Sequence, residues 1–290
     1  MHPAPSVILF TTLSGLGFGL LFWLGVDSTP PTGWGAFAFF FIAHALAVGG
    51  LIASTFHLGH PERAWRALSQ WRSSWLSREG ICAISALVVS GAYGAALIFL
   101  GQAPGWLGWL GALLSLLTVY TTAMIYTQLA TIPRWNTALT PVLFLGLSLS
   151  GGALLSGRVA IVSGLLGVAG LVQLAWWLRG DRAFAASGST LGTATGLGDR
   201  GEVRSFAPPH TAPNYLMREF VFVIGRKHAL KLRVIAVFLM VILPIGLLMT
   251  PFSHVLAVLA VLSHIAGVAV SRWLFFAQAE HVVGLYYGLR

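Results

Sequence analysis

The sequence predicts an all-α integral membrane protein: one domain, 1–290, folded as a bundle of eight transmembrane helices with a long polar loop between helices six and seven. Three observations lead there. Mean hydropathy is +0.82. Hydrophobic residues make up 57% of the chain and charged residues 9%, against about 25% charged in an ordinary soluble domain. The apolar residues also gather into long unbroken runs, and crossing about 30 Å of hydrocarbon takes about 20 such residues at 1.5 Å each. The single cysteine, Cys82, excludes a disulfide framework, a cysteine-ligated zinc site and an iron–sulfur cluster held by this chain alone.

Taken in order, the run 5–26 has neither a basic flank nor a small-residue cleavage site, so it is expected to be a span and not a cleaved signal. Runs 34–57 and 79–101 flank the connection HLGHPERAWRALSQWRSSWLSREG. Within it Pro61 suits a first helical turn, Glu62 and Arg66 stand four apart, and Trp65 with Leu68 would face the headgroups. Run 105–128 follows, then 138–157 and 159–178, parted by Ser156, Gly157 and Arg158. The segment 179–231 is rich in Gly, Ser, Thr and Pro and reads as a flexible loop. Its end, NYLMREFVFVIGRKHALKLR, alternates apolar and basic residues and predicts an interfacial helix. Runs 232–250 and 252–277, parted by Thr250 and Pro251, complete the set. Glycines within the runs, such as Gly15, Gly17, Gly19, Gly49 and Gly50, supply close helix approach where no hydrophobic force drives packing. A broken helix lining a substrate path is the alternative use.

The charge is asymmetric. There are 17 Lys and Arg against 8 Asp and Glu. On an eight-span topology fifteen of the 17 fall on the face that holds both termini and the connections 58–78, 129–137 and 179–231. The positive-inside rule makes that face cytoplasmic, and a basic face is also a docking surface, with Arg63, Arg66, Arg72, Arg78 and Arg134 as the candidate partner contacts. The basic excess therefore needs no nucleic acid. Arg158 lies alone on the far side, and Arg272 falls inside the last span.

His57 ends the second run and Glu79 begins the third, so both stand at one depth on adjacent antiparallel helices. A hydrated interfacial histidine and a dipole-favoured glutamate are the plain readings. As a pair they make a protonatable couple, which quinone chemistry requires because it moves two electrons with two protons. Tyr126 and Arg272 fall near the same end, and an arginine within a span costs about 2.5–3.5 kcal/mol unless it snorkels or faces a cavity. His44 and His264 lie within spans and are the candidates for axial haem ligation. Packed, hydrogen-bonded histidines are the stronger expectation, and no metal is expected in this chain.

The segments ASTFHLGHPERAWRALSQWRSSWLSREG, YTQLATIPRWNTALTPVLF and SRWLFFAQAEHVVGLYYG resemble the membrane-anchor subunit of dimethyl sulfoxide reductase and its relatives, which include the anchor of the cytoplasmic-facing sulfite dehydrogenase. The resemblance spans essentially the whole chain. It implies eight helices, no metal in the anchor, and electron exchange between a quinone, ubiquinone or menaquinone, and an iron–sulfur subunit that serves a molybdopterin catalytic subunit. It also implies that the family's quinone-site histidine and glutamate are His57 and Glu79. The cytoplasmic basic face favours sulfite oxidation with electrons entering the quinone pool of a bacterial inner membrane. An anchor that oxidises menaquinol for a dimethyl sulfoxide reductase, a transporter or proton conductor, and a passive anchor stand as alternatives.

Overall fold

The computed structural model describes residues 1–56, 59–207, 211–212, 214–221, 228–251 and 253–288, and all regular structure among them is helical. In chain order the helices are α1 (Pro5–Gly25), α2 (Gly33–Thr55), a 3₁₀ helix Pro61–Gln70, α3 (Trp75–Ala95) extended by a π turn Ala96–Leu100, and α4 (Gly105–Thr127). They continue as α5 (Leu139–Leu155), α6 (Val159–Ala186), the short α7 (Leu191–Thr195) and α8 (Tyr215–Phe220), and α9 (Ala229–Val237). A π turn, Phe238–Ile242, joins α9 to α10 (Leu243–Leu248), and α11 (His254–Ala277) precedes a 3₁₀ helix Val282–Tyr287.

Seven of these segments, 20 to 28 residues long, are long and apolar enough to cross a membrane, with α9, its π turn and α10 counted as one. The run predicted at 138–157 forms the 17-residue α5. At 1.5 Å per residue α5 is about 25 Å long, less than the hydrocarbon thickness.

Three further boundaries differ from expectation, each for a local reason. α3 begins at Trp75 and not at 79, because Ser74 caps it by accepting from the Ser77 N–H at 3.4 Å. Glu79 therefore stands in the second turn, inside the bundle. α6 runs on to Ala186, past the predicted end at 178. Arg179 donates to the carbonyls of Pro133 at 2.5 Å and Asn136 at 3.0 Å, and Asp181 pairs with Arg134 at 2.8 Å and Arg233 at 2.6 Å. Charges that read as loop composition are thus tied down as two extra helical turns. The interfacial helix expected at the end of the loop is found in part, as α8 and the start of α9. Residues 222–227 of that stretch lie outside the described residues.

The 3₁₀ helix Pro61–Gln70 starts on Pro61 as expected, with Trp65 68% exposed.

The core centres on α1 and α5. α1 packs against α2, α4 and α5, and α5 in turn against α4 and α6. Glycine brings these backbones together: a Cβ on Gly50 of α2 would lie 2.5 Å from the Ser14 backbone nitrogen of α1, and one on Gly19 would collide with the Ser148 backbone of α5. Helices in lipid associate by such close packing.

Candidate functional site

Buried polar groups gather toward one end of this core. On α3, Glu79, Ala83, Ala86 and Ser90 share the buried face. Glu79 is 4% exposed, and the Thr122 hydroxyl of α4 donates to its Oε1. The Thr118 carbonyl, 2.9 Å away, is the competing acceptor for the same hydroxyl proton. Among the described residues no cation pairs with Glu79.

Arg272, on α11, is 2% exposed. Its guanidinium carbon stands 3.6 Å from the centroid of the Phe144 ring of α5, a cation–π contact strengthened by exclusion of water. Its Nε and Nη1 have no hydrogen-bond partner among the described residues. Two small cavities, each of about 10 Å³, touch Arg272 and share Thr11 and Gly15 of α1. Thr12 lines one of them, Ser14 and Thr122 line the other, and Ser148 lines both.

Tyr126 follows Thr122 by one turn on the same face of α4. Its ring sits among Trp135, Phe144, Phe275 and Phe276, with centroids 5.2, 5.8, 5.3 and 5.6 Å away. Trp135 stacks on Phe275 at 5.1 Å and donates its indole N–H to the Phe275 carbonyl at 2.9 Å. Glu79 and Arg272 both lie within electrostatic range of the Tyr126 hydroxyl. The structure therefore brings Glu79, Tyr126 and Arg272 into one neighbourhood. It does not place a ligand-sized volume beside Arg272, since the cavities there are far below the about 300 Å³ of a small-molecule pocket. A quinone ring does not fit in the cavities between Arg272 and its neighbours, and Tyr126 is enclosed by aromatic rings. His57 lies outside the described residues.

The two intramembrane histidines are engaged by their surroundings. His44 Nδ1 lies 2.8 Å from the Phe40 carbonyl, and its Nε2 lies 3.3 Å from both the Leu87 carbonyl and the Ser90 hydroxyl, bridging α2 to α3. His264 serves a break in the neighbouring helix. Pro244 has no N–H to give, so it leaves the Met240 carbonyl without its α-helical donor and the Leu239 carbonyl without its π-helical one. His264 Nδ1 meets the Met240 carbonyl at 2.7 Å and Ser263 donates to the Leu239 carbonyl at 2.7 Å. These contacts engage both ring nitrogens of His44 and Nδ1 of His264, whose buried Nε2 has no hydrogen-bond partner among the described residues.

Of the expected docking residues, Arg63, Arg66 and Arg72 are exposed. Arg78 is half-buried, lies 4.3 Å from the Trp75 ring centroid, and donates to the carbonyls of Trp71 and Arg72 at 2.9 and 2.7 Å. Arg134 corrects the expectation: it is 8% exposed and turned inward onto Asp181. Burial pulls its guanidinium below the usual range, opposed by the Asp181 carboxylate. On the far face Arg158 pairs with Asp27 at 3.1 Å and donates to the Trp23 carbonyl at 3.0 Å. Thr122 and Asp181 are the site residues that sequence reasoning missed. Thr118, Thr122 and Tyr126 recur at helical spacing on α4 and signalled a polar stripe, and Asp181 is the acid set between Arg179 and Arg182.

Comparison with known proteins agrees with this architecture. The family model described as DMSO reductase anchor subunit (DmsC) matches residues 6–289. A sulfite dehydrogenase subunit from Allochromatium vinosum is 34% identical over 333 aligned positions that cover 99% of each chain. No solved structure matches. Apolar helices, basic connections and whole-length similarity together show that this chain belongs to the family of DMSO reductase membrane-anchor subunits.

Proposed function

We propose that the chain is the quinone-reactive anchor of a sulfite-oxidising molybdoenzyme complex. In this reading sulfite is oxidised at a molybdopterin subunit, electrons pass through an iron–sulfur subunit, and quinone is reduced at the cytoplasmic end of α2 and α3. The observation that carries it is Glu79: a carboxyl 4% exposed within a membrane helix, held by a hydroxyl and paired with no cation among the described residues. Ionisable groups kept at such cost inside a bilayer mark sites of proton or substrate handling. Reduction of a quinone consumes two electrons and two protons, and a carboxyl at this depth can hand over a proton that water in the membrane cannot.

His57, the last residue of the second apolar run in the sequence, is the natural hydrogen-bond partner for a quinone carbonyl. Exposed Arg63, Arg66 and Arg72 form the face toward the iron–sulfur partner. The name of the A. vinosum relative supports sulfite as the electron donor. α5 acts as the eighth crossing in this reading, its short length accommodated by its central place between longer helices. Both termini and the partner subunits then lie in the cytoplasm, in accord with the basic connections. The test is His57→Ala in the assembled complex. Sulfite oxidation with a water-soluble dye should persist while quinone reduction falls at least about a hundredfold. Equal quinone reduction by variant and wild type would sink the reading.

A further inference from the structure

The cavities beside Arg272 point to a polar device within the bundle. We propose that ordered water fills these two cavities and, together with Thr122, joins Glu79 to Arg272 in one hydrogen-bonded seam across the bundle. Three observations meet here. The guanidinium is buried with Nε and Nη1 unpartnered among the described residues, as is the nearby Thr12 hydroxyl. A buried charged donor left without an acceptor is among the costlier states a protein can hold. Each cavity measures about 10 Å³, close to the smallest volume that holds one water, and water in such a place needs two to four polar neighbours. Hydroxyl-bearing residues line them: Thr11 and Ser148 border both cavities, and Ser14 and Thr122 border one, and each hydroxyl oxygen can still accept from water.

The order of the seam follows from the lining. Glu79 accepts from Thr122, Thr122 and Arg272 border the same cavity, and Arg272 borders the second cavity with Thr12. Water that accepts from the guanidinium can donate to a hydroxyl oxygen of Thr122 or Ser148. The two buried groups then act on each other through oriented dipoles and not through a direct ion pair. Thr122 is a positioning residue for Glu79.

Gly15 is what keeps the space open, since it borders both cavities. A Cβ there would meet nothing of the fold closer than the Ser148 hydroxyl, at 3.1 Å. Gly15→Ala should therefore fold, because that hydroxyl can rotate away, yet it takes the room the water needs.

The placement of the water stands on geometry alone, whereas its effect on turnover rests on the proposed quinone reading. High-resolution electron cryo-microscopy of the assembled wild-type complex should show an ordered density in each cavity within hydrogen-bond distance of Arg272. Gly15→Ala, or Ser148→Ala as a second variant, should remove or displace it. Quinone reduction by Thr122→Val should fall about tenfold, part of what a positioned proton donor contributes, and Thr122→Ser should restore it. Dry cavities in the wild type would overturn the seam, and Thr122→Val with wild-type turnover would overturn the role of Thr122. Full quinone reduction by Glu79→Gln would instead remove the quinone reading and leave the seam to be judged on the density.

Discussion

Gly49 and Gly50 are neighbours on α2, and the structure predicts opposite outcomes for the same substitution. A Cβ on Gly50 would lie 2.5 Å from the Ser14 nitrogen, 3.0 Å from the Ser14 Cβ and 3.1 Å from the Phe10 carbonyl oxygen, whereas one on Gly49 has nothing within 4 Å. Ordinary contact begins near 3.4 Å, so Gly50→Ala must push α2 off α1 by about 0.9 Å. Backbone atoms cannot rotate aside, which puts the overpacking cost near the upper end of the usual range, about 3 kcal/mol. Better helix propensity returns up to about 1 kcal/mol, leaving a net loss of about 2 kcal/mol. Gly49→Ala keeps only the gain. Thermal unfolding of the chain in lipid nanodiscs, followed by helical circular dichroism, should place Gly50→Ala about 4–8 °C below wild type and Gly49→Ala at or slightly above it. Indistinguishable midpoints for the two variants would refute the close-packed α1–α2 seam.

Asp181→Asn removes the carboxylate shared by Arg134 and Arg233 and leaves a guanidinium that is 8% exposed without its counter-charge. Loss of about 2 kcal/mol is expected, reduced from the fully buried case because Asp181 itself is 44% exposed, and a wild-type melting midpoint would contradict it. His281 accepts from the Val283 N–H at 3.0 Å, and burial and the N-terminal ammonium hold its imidazole below the usual range. The folded state therefore resists protonating it, so its contribution is present at neutral pH and is lost as pH falls through the ordinary histidine range toward the lowered folded value. His281→Asn should flatten the fall in melting temperature between pH 7 and pH 5, values chosen about the ordinary histidine pKa, and an unchanged slope would remove that explanation. Arg66→Cys in the chain without its partners should react with an impermeant maleimide in inside-out vesicles and not in right-side-out ones. The reverse pattern would invert the orientation.

Hydrophobic run length made most of the fold legible, because a membrane helix must satisfy its own backbone and announces itself as a long apolar stretch. Helix ends were less legible because tertiary partners set them. The cap at Ser74 is a local signal, but Arg179 and Asp181 extend α6 only through contacts with Pro133, Asn136, Arg134 and Arg233, all distant in sequence. The convergence of Glu79, Tyr126 and Arg272 was legible because depth along a span can be counted. The water-sized cavities were not, since they depend on how Gly15, Ser148 and Thr122 meet across three helices. Arg134 misled for a related reason: position in a basic connection says nothing about which way a side chain turns. The role of His264 was written in Pro244, the proline that frees the carbonyls which His264 and Ser263 satisfy.

The most direct measurement compares Glu79→Gln with wild type in the assembled complex, using sulfite as donor and either a quinone or a water-soluble dye as acceptor. Glutamine keeps the size and can still accept from Thr122 but cannot deliver a proton. Dye reduction should proceed at the wild-type rate, and quinone reduction should fall about a hundredfold or more. Equal loss with both acceptors, or no loss with quinone, would contradict the claim that Glu79 serves quinone reduction.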